Sequence, residues 1–180
     1  ILGFAQLLEA GNPPPTDNQS VRLHQIIKAG WYLLELINQI LDLAVIESGK
    51  LTLTREAVSL NEVILECQAM IEPIAQQRAV QIKFPQFDMR HYISGDRIRL
   101  KQVLINLLSN AIKYNREHGS VTLSYVQPTA GRIRLSIRDT GKGMAPEKLV
   151  QLFQPFHRLG PEHGGWDGSG IGMVESRHLV

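Results

Sequence analysis

Two carboxamides stand one helical turn apart in NLLSNAIKYN (106–115), Asn106 and Asn110. Around them Leu100, Val103, Leu104, Leu107, Leu108, Ala111 and Ile112 recur at helical spacing, so the segment reads as an amphipathic helix. Asn is a poor helix former because its amide competes for backbone hydrogen bonds, and two in mid-helix need an offsetting role. At the helical step of ~100° per residue, Asn106, Asn110, Lys113 and Tyr114 fall within an arc of about 100° beside the apolar one. An amide oxygen is a neutral ligand suited to Mg²⁺, an ammonium is a point charge for phosphate, and a phenol gives an aromatic wall with a polar tip. Taken alone, the same residues also fit the solvent-facing edge of a long helix.

Two further stretches carry the same kind of chemistry. RDTGKGMAPE (138–147) follows a predicted strand, with Asp139 at the strand end and Gly141 and Gly143 just beyond. Glycines there let backbone approach a ligand closely, and the carboxylate can accept from an amino group such as the exocyclic amine of adenine. By itself, DTGKG also reads as a polar turn. In GGWDGSGIGMVESRHLV (164–180), Gly168, Gly170 and Gly172 lead into an apolar helix. Free N–H groups and the helix dipole make such a start an anion site, although glycine loops also serve as hinges. No βαβ strand precedes these glycines and no GK[ST] follows them, which excludes a Rossmann fingerprint and a P-loop.

The elements that must hold these residues divide the chain near residue 50. Residues 1–10 read as an amphipathic helix, GNPPPTDN (11–18) as a stop and turn, and roughly 17–48 as a long helix. Leu23, Ile27, Gly30, Leu34, Ile37, Leu41 and Ala44 alternate spacings of four and three, with Ile26, Leu33 and Ile40 on a strict seven beside them. Three apolar positions per heptad suit a four-helix bundle, which two copies of one hairpin would supply; the alternative is a hairpin packed on its own globular domain. From Lys50 the pattern is α+β. LTLTREAV (51–58) and VQIKF (80–84) read as strands, and Ser59 with Glu62 as a capping box opening a helix to about Arg78. Asp96 is a predicted N-cap for the asparagine helix, and SVTLSYV (120–126) with RIRLSIR (132–138) reads as a hairpin.

With 43% hydrophobic and 20% charged residues, the 180-residue chain has enough apolar content for a core, and its net charge of +2 gives no sign of a nucleic-acid partner. The one cysteine, Cys67, has no internal disulfide partner and suits a reducing compartment. No apolar run approaches the ~18 residues of a bilayer span, and no signal peptide is visible. The sequence opens on a helical pattern without Met and stops inside another, so it reads as part of a longer chain, with a membrane anchor elsewhere left open.

In this order and spacing the motifs resemble the histidine kinase transmitter of two-component signalling. QVLINLLSNAIKY (102–114) is similar to its N box, IRDTGKGMAPE (137–147) to its first glycine box, LFQPFHR (152–158) to its F box and DGSGIGM (167–173) to its second glycine box. ILGFAQLLE (1–9) and LLELINQILDLAVIESGKL (33–51) resemble the dimerisation hairpin that precedes the ATP domain in that family. The resemblance implies a helical hairpin (1–49), half of a dimeric four-helix bundle, followed by a two-layer α/β sandwich of the Bergerat type (50–180). It also implies that the acceptor histidine lies about two and a half turns before Ile1, and that the last strands of the sheet fall beyond Val180, which would leave an apolar edge exposed and stability reduced.

By the same resemblance Asn110 would ligate Mg²⁺, supported by Asn106, while Lys113 and Tyr114 would contact phosphate and nucleotide. Asp139 would hold adenine with Gly141 and Gly143; residues from about 145 to 167, with Phe153, Phe156 and Arg158, would form a lid; Gly168, Gly170 and Gly172 would border the phosphates. The implied activity is transfer of the γ-phosphate of MgATP to a histidine on the dimerisation hairpin, for relay to the receiver aspartate of a response regulator in the bacterial cytoplasm. Gyrase-like and chaperone-like relatives carry Glu where Asn106 stands, and a neutral amide cannot act as general base, which disfavours a hydrolysing ATPase. A non-catalytic dimerisation and nucleotide-sensing module is the remaining alternative. His24 reads as a surface residue, and Met173 as a volume-conserving change from the family's leucine.

Overall fold

A computed structural model describes residues 1–49, 52–87, 91–155 and 170–180. Helix α1 (Leu2–Glu9) folds back on α2 (Asp17–Glu47). Their seam is narrow: Ala5 and Leu23 are buried in it, and a Cβ on Gly30 would come within 2.7 Å of Leu2 Cδ2. Only a residue without a side chain allows α1 to lie this close. The rest of the heptad stripe stays in solvent, with Leu33, Leu34, Ile37, Ile40 and Leu41 each between 41% and 59% exposed.

The second part is built from β1 (Glu56–Ser59), α3 (Leu60–Gln77), β2 (Gln81–Lys83), β3 (Tyr92–Gly95), α4 (Arg97–Lys113), β4 (Ser120–Thr129), β5 (Arg132–Asp139), the single turn α5 (Pro146–Leu149) and α6 (Gly172–Leu179). β1 pairs antiparallel with β3, while β2, β4 and β5 form a second sheet in that order, β2 parallel to β4 and β4 antiparallel to β5. Helices α3 and α4 cover one face of the strands. Leu60, Ile64 and Ile71 of α3 interlock with Leu104, Leu108 and Ile112 of α4 and with Val121 and Leu123 of β4. Ile133, Leu135 and Ile137 of β5 close the edge of this core, half-buried. The fold is the expected α+β arrangement of a helical hairpin and a two-layer α/β unit.

Several boundaries differ from the sequence reading. β1 begins at Glu56, so most of the alternating LTLTREAV segment lies outside the strand. Ser59 is the N-cap of α3 but makes no side-chain cap bond; Glu62 pairs with Arg97 at 3.4 Å instead of closing a capping box. β3 was not visible in the sequence. β4 runs on through Pro128 after a register shift between Val126 and Thr129. β2 covers only the first three residues of β4, so Pro128 lies on a bare edge where its missing N–H costs no ladder bond. Asp96 caps α4 as expected, accepting from the N–H groups of Ile98 at 3.0 Å and Arg99 at 3.1 Å. Its second oxygen takes Thr54 N–H at 3.1 Å, and these donors hold the carboxyl below the usual aspartate range. Among the described residues no helix is long and apolar enough to cross a membrane.

Candidate functional site

The helix that carries the asparagines touches the Asp139 turn and α6. Asn106 and Asn110 are half-buried on the flank of α4, and Asn110 Nδ2 donates to Asn106 Oδ1 at 3.3 Å. Asn106 Nδ2 in turn donates to the Ser176 hydroxyl of α6 at 2.8 Å. Helix α6 reaches this contact because Gly172 has no side chain: a Cβ there would lie 2.3 Å from Asn106 Oδ1. Apolar Ile171 and Val174 are buried beside it and fix α6 on α4.

At the other end of the same helix, Tyr114 is the C-cap, half exposed, with the Lys113 ammonium 5.1 Å from its ring centroid. The turn after β5 meets it here. A Cβ on Gly141 would come within 2.6 Å of the Tyr114 carbonyl oxygen. Asp139 Oδ1 accepts the Gly141 N–H at 2.8 Å, so one carboxylate oxygen shapes the turn and the other is left toward the exposed side. Gly143 follows at φ +69°, a left-handed conformation that glycine adopts without cost. From Asn106 to Tyr114 the helix advances about 12 Å, with α6 at one end and the Asp139 turn at the other.

What fixes that turn is a small polar network that the sequence reading passed over. The Thr140 hydroxyl donates to Asn115 Oδ1 at 3.1 Å and accepts the Ser120 N–H at 2.8 Å, while Asn115 Nδ2 donates to the Ser120 carbonyl at 3.0 Å. The end of α4, the start of β4 and the end of β5 are thereby joined at one point. Residues Arg99, Gln102, Glu175 and Ser176 were missed as well. Glu175 and Ser176 are buried polar residues of the eight-residue helix α6, and no spacing in the sequence marks them off from its other polar residues, Arg177 and His178. Gln102 Nε2 donates to Glu175 Oε1, and Arg99 lies 3.6 Å from Glu175 and 3.3 Å from Asp42 of α2. Burial pushes the Glu175 carboxyl above the ordinary glutamate range, Asp42 adds to the shift, and Arg99 opposes it.

Of the expected lid residues, Phe153 stacks under the Arg177 guanidinium of α6, 4.9 Å from its ring centroid. Phe156, Arg158 and Gly168 lie outside the described residues, as do His157 and His163. Gly170 takes φ +75° just before α6. His24 is exposed, with Nδ1 3.3 Å from Glu9 and 3.1 Å from the Ser20 carbonyl. A cavity of about 510 Å³ lies elsewhere, between α3 and β2, lined by Ile64, Leu65, Phe84 and Phe87 among others; none of the motif residues reaches it.

The donor set decides which ion this flank suits. Among the described residues no group of three or more His, Cys, Asp or Glu is clustered for a metal. Asn110 offers a neutral oxygen, its nitrogen being spent on Asn106. A single neutral ligand fits Mg²⁺ that keeps its waters and takes phosphate oxygens, and does not fit a transition-metal site.

Comparison with known proteins points to a family. The sequence model of the family described as "Histidine kinase-, DNA gyrase B-, and HSP90-like ATPase" matches residues 95–180, the stretch that holds α4, the Asp139 turn and α6. The cell-division control histidine kinase PdhS of Brucella canis is 33% identical along all of this chain. Residues 95–180 belong to that family, and the chain along its whole length is similar to histidine kinases. The alignment with PdhS runs over 191 residues, 100% of this chain and 18% of that protein, so the kinase segment seen here spans about a fifth of the length of the curated relatives it matches. Among solved structures, ShkA full-length in complex with AMPPNP superposes with a TM-score of 0.82 at 28% identity, covering 99% of this chain and 36% of that one. The histidine kinase ThkA in complex with the response regulator protein TrrA gives 0.62 at 26% identity, covering 88% of this chain and 46% of that one.

Proposed function

We propose that this histidine kinase segment binds an adenine nucleotide with Mg²⁺ and passes the γ-phosphate to a histidine on the dimerisation hairpin, for relay to a response-regulator aspartate. The observation that carries the reading is the pair of neutral carboxamides on one flank of α4, with the Asp139 turn packed at its far end. We assign residues 1–49 to the dimerisation hairpin and 50–180 to the ATP-binding domain. The apolar stripe of α2, unburied within one chain, supports pairing with a second copy into a four-helix bundle. The ThkA–TrrA complex supports a receiver domain as the downstream partner, and the bacterial relatives support action in the bacterial cytoplasm.

In this scheme Asn110 Oδ1 ligates the metal and Asn106 holds the Asn110 amide in place. Bound Mg²⁺ would neutralise charge on the phosphate oxygens. Lys113 adds a positive charge beside the phosphates, Tyr114 provides a wall for the nucleotide, and the outward oxygen of Asp139 accepts from the adenine amine. Gly170 and Gly172, with Gly168, Phe156 and Arg158, complete the phosphate side. Transfer breaks the bond from the γ-phosphorus to the bridging oxygen and forms a bond to the histidine nitrogen, while ADP departs. Asn106 cannot take a proton from water, so hydrolysis has no general base at this position, and the phosphoryl group is kept for the protein acceptor.

Calorimetric titration with Mg·AMPPNP tests the site. Asn110→Ala and Asp139→Ala are each expected to weaken binding by about tenfold or more, the loss of one ligand or one hydrogen bond to a charged group. Unchanged affinity in both variants rejects the assignment. Phosphotransfer from ATP to an added hairpin peptide bearing a histidine separates a kinase from a module that only senses nucleotide.

A further inference from the structure

On the nucleotide reading, on which this inference rests, the base meets two residues: Tyr114 as its wall and Asp139 as its acceptor. They come from different elements, the end of α4 and the end of β5. The β4–β5 ladder runs as far as Val121 opposite Asp139, which places Asp139 in the sheet but does not fix α4. Leu108 and Ile112 hold α4 on the strands through apolar contact, which has no direction. Asn115 and Thr140, the residues that directly follow the wall and the acceptor, supply the directional link.

Backbone groups, whose donor and acceptor roles cannot be exchanged, set the direction of each bond in this joint. Asn115 Oδ1 accepts the Arg116 N–H at 3.0 Å, so its nitrogen is the atom that meets the Ser120 carbonyl, also at 3.0 Å. Thr140 Oγ1 accepts the Ser120 N–H at 2.8 Å. Its own hydrogen then has Asn115 Oδ1 at 3.1 Å and the Ser120 carbonyl at 3.4 Å as acceptors, and either choice stays within the joint. The Thr140 N–H adds a bond to the same carbonyl at 3.1 Å. Gly119, which is buried, leaves room for the pair: a Cβ there would strike both Asn115 Oδ1 and Thr140 Oγ1. We propose that Asn115 and Thr140 are positioning residues that set the base specificity of the site, by holding the Asp139 carboxylate at a fixed distance from the Tyr114 wall. Neither touches the nucleotide in this scheme.

The test compares two nucleotides, both with Mg²⁺: ADP, and IDP, in which a carbonyl oxygen replaces the adenine amine. Their phosphates are the same, so the ratio of the two affinities isolates the base. Calorimetry on the 180-residue chain should show the wild type preferring ADP by about tenfold or more, the worth of a hydrogen bond to a charged group. Thr140→Val keeps the shape without the hydroxyl, and Asn115→Asp sets an oxygen against the Ser120 carbonyl. Each is expected to lose most of the preference through weaker ADP binding, with IDP affinity unchanged, whereas Thr140→Ser keeps the preference. A further reading needs no variant to fold. By reciprocity, adenine held at Asp139 steadies the joint, so the Asn115 side-chain NH₂ of the wild type should exchange more slowly by NMR with saturating ADP than with saturating IDP. Equal losses for ADP and IDP mean a merely structural role. That result, a preference that survives Thr140→Val and Asn115→Asp, or Asn115 exchange that is the same with both nucleotides, overturns the assignment of Asn115 and Thr140 alone. A wild-type chain with no preference for ADP overturns the nucleotide reading and this inference with it.

Discussion

The hairpin and the α/β unit use their apolar residues in opposite ways. In α3 and α4, Leu60, Ile71, Leu108 and Ile112 are exposed by 1% or less, whereas Leu34, Ile37 and Leu41 on α2 keep two-fifths or more of their surface in water. Both regions have helical periodicity in their sequence, and periodicity alone does not say where the partner surface comes from. In the α/β unit it comes from the strands of the same chain. On α2 the cover comes mainly from α1, which is eight residues long and buries its Ala5 against Leu23, while the far end of α2 meets Arg99 through Asp42. A stripe that repeats over several heptads and stays largely uncovered in its own fold supports the proposed pairing with a second copy.

Truncation inside the α/β unit should have the largest effect. Leu108→Ala, at a fully buried position, is expected to lower unfolding stability by about 2–5 kcal/mol, read from urea denaturation. The matching change on α2, Ile37→Asp, should leave that stability where it was. It should instead raise the dimer dissociation constant by about a hundredfold or more, since each chain loses a buried aliphatic side chain worth about 2–3 kcal/mol. Sedimentation equilibrium reads this. If Ile37→Asp unfolds the α/β unit, or leaves the oligomeric state unchanged, the contrast between the two regions is wrong.

Arg99→Ala acts on the bridge between them. Arg99 spans Asp42 of α2 and Glu175 of α6 and its side chain is 25% exposed, so its loss is expected to cost about 1–2 kcal/mol, below that of a fully buried pair. Faster amide exchange in α6 and at the end of α2, without change in α3, is the expected signature. The smallest effect is on pH dependence. The folded-state pKa of Glu175 is raised, so its contribution to stability is fully present below the ordinary glutamate value of 4.5 and is lost as pH rises through the shifted value. The stability difference between wild type and Glu175→Gln should therefore favour the wild type most in acid and shrink toward neutral pH, read from urea midpoints across that range.

Legibility in the sequence followed the range of the interactions. Asn106, Asn110, Lys113 and Tyr114 were readable because helix geometry is local and their spacing fixes their common side. Asp139 was readable from the strand that ends at it, and the Asp96 cap from its place before an apolar repeat. β3 was hidden, since YISG is four residues with no long alternation and exists by pairing with β1. The capping box at Ser59 failed because Glu62 found a cation, Arg97, 35 residues away. The Thr140–Asn115–Ser120 and Ser176–Asn106 contacts join distant segments, and no spacing rule reaches them.

Hydrogen–deuterium exchange of the chain with and without Mg·AMPPNP tests the central claim most directly. The account predicts protection along 102–115, 137–143 and 170–180, with none in the exposed stripe of α2. Protection confined to the α3–β2 cavity around Ile64, Phe84 and Phe87, or none anywhere at saturating nucleotide, would contradict it.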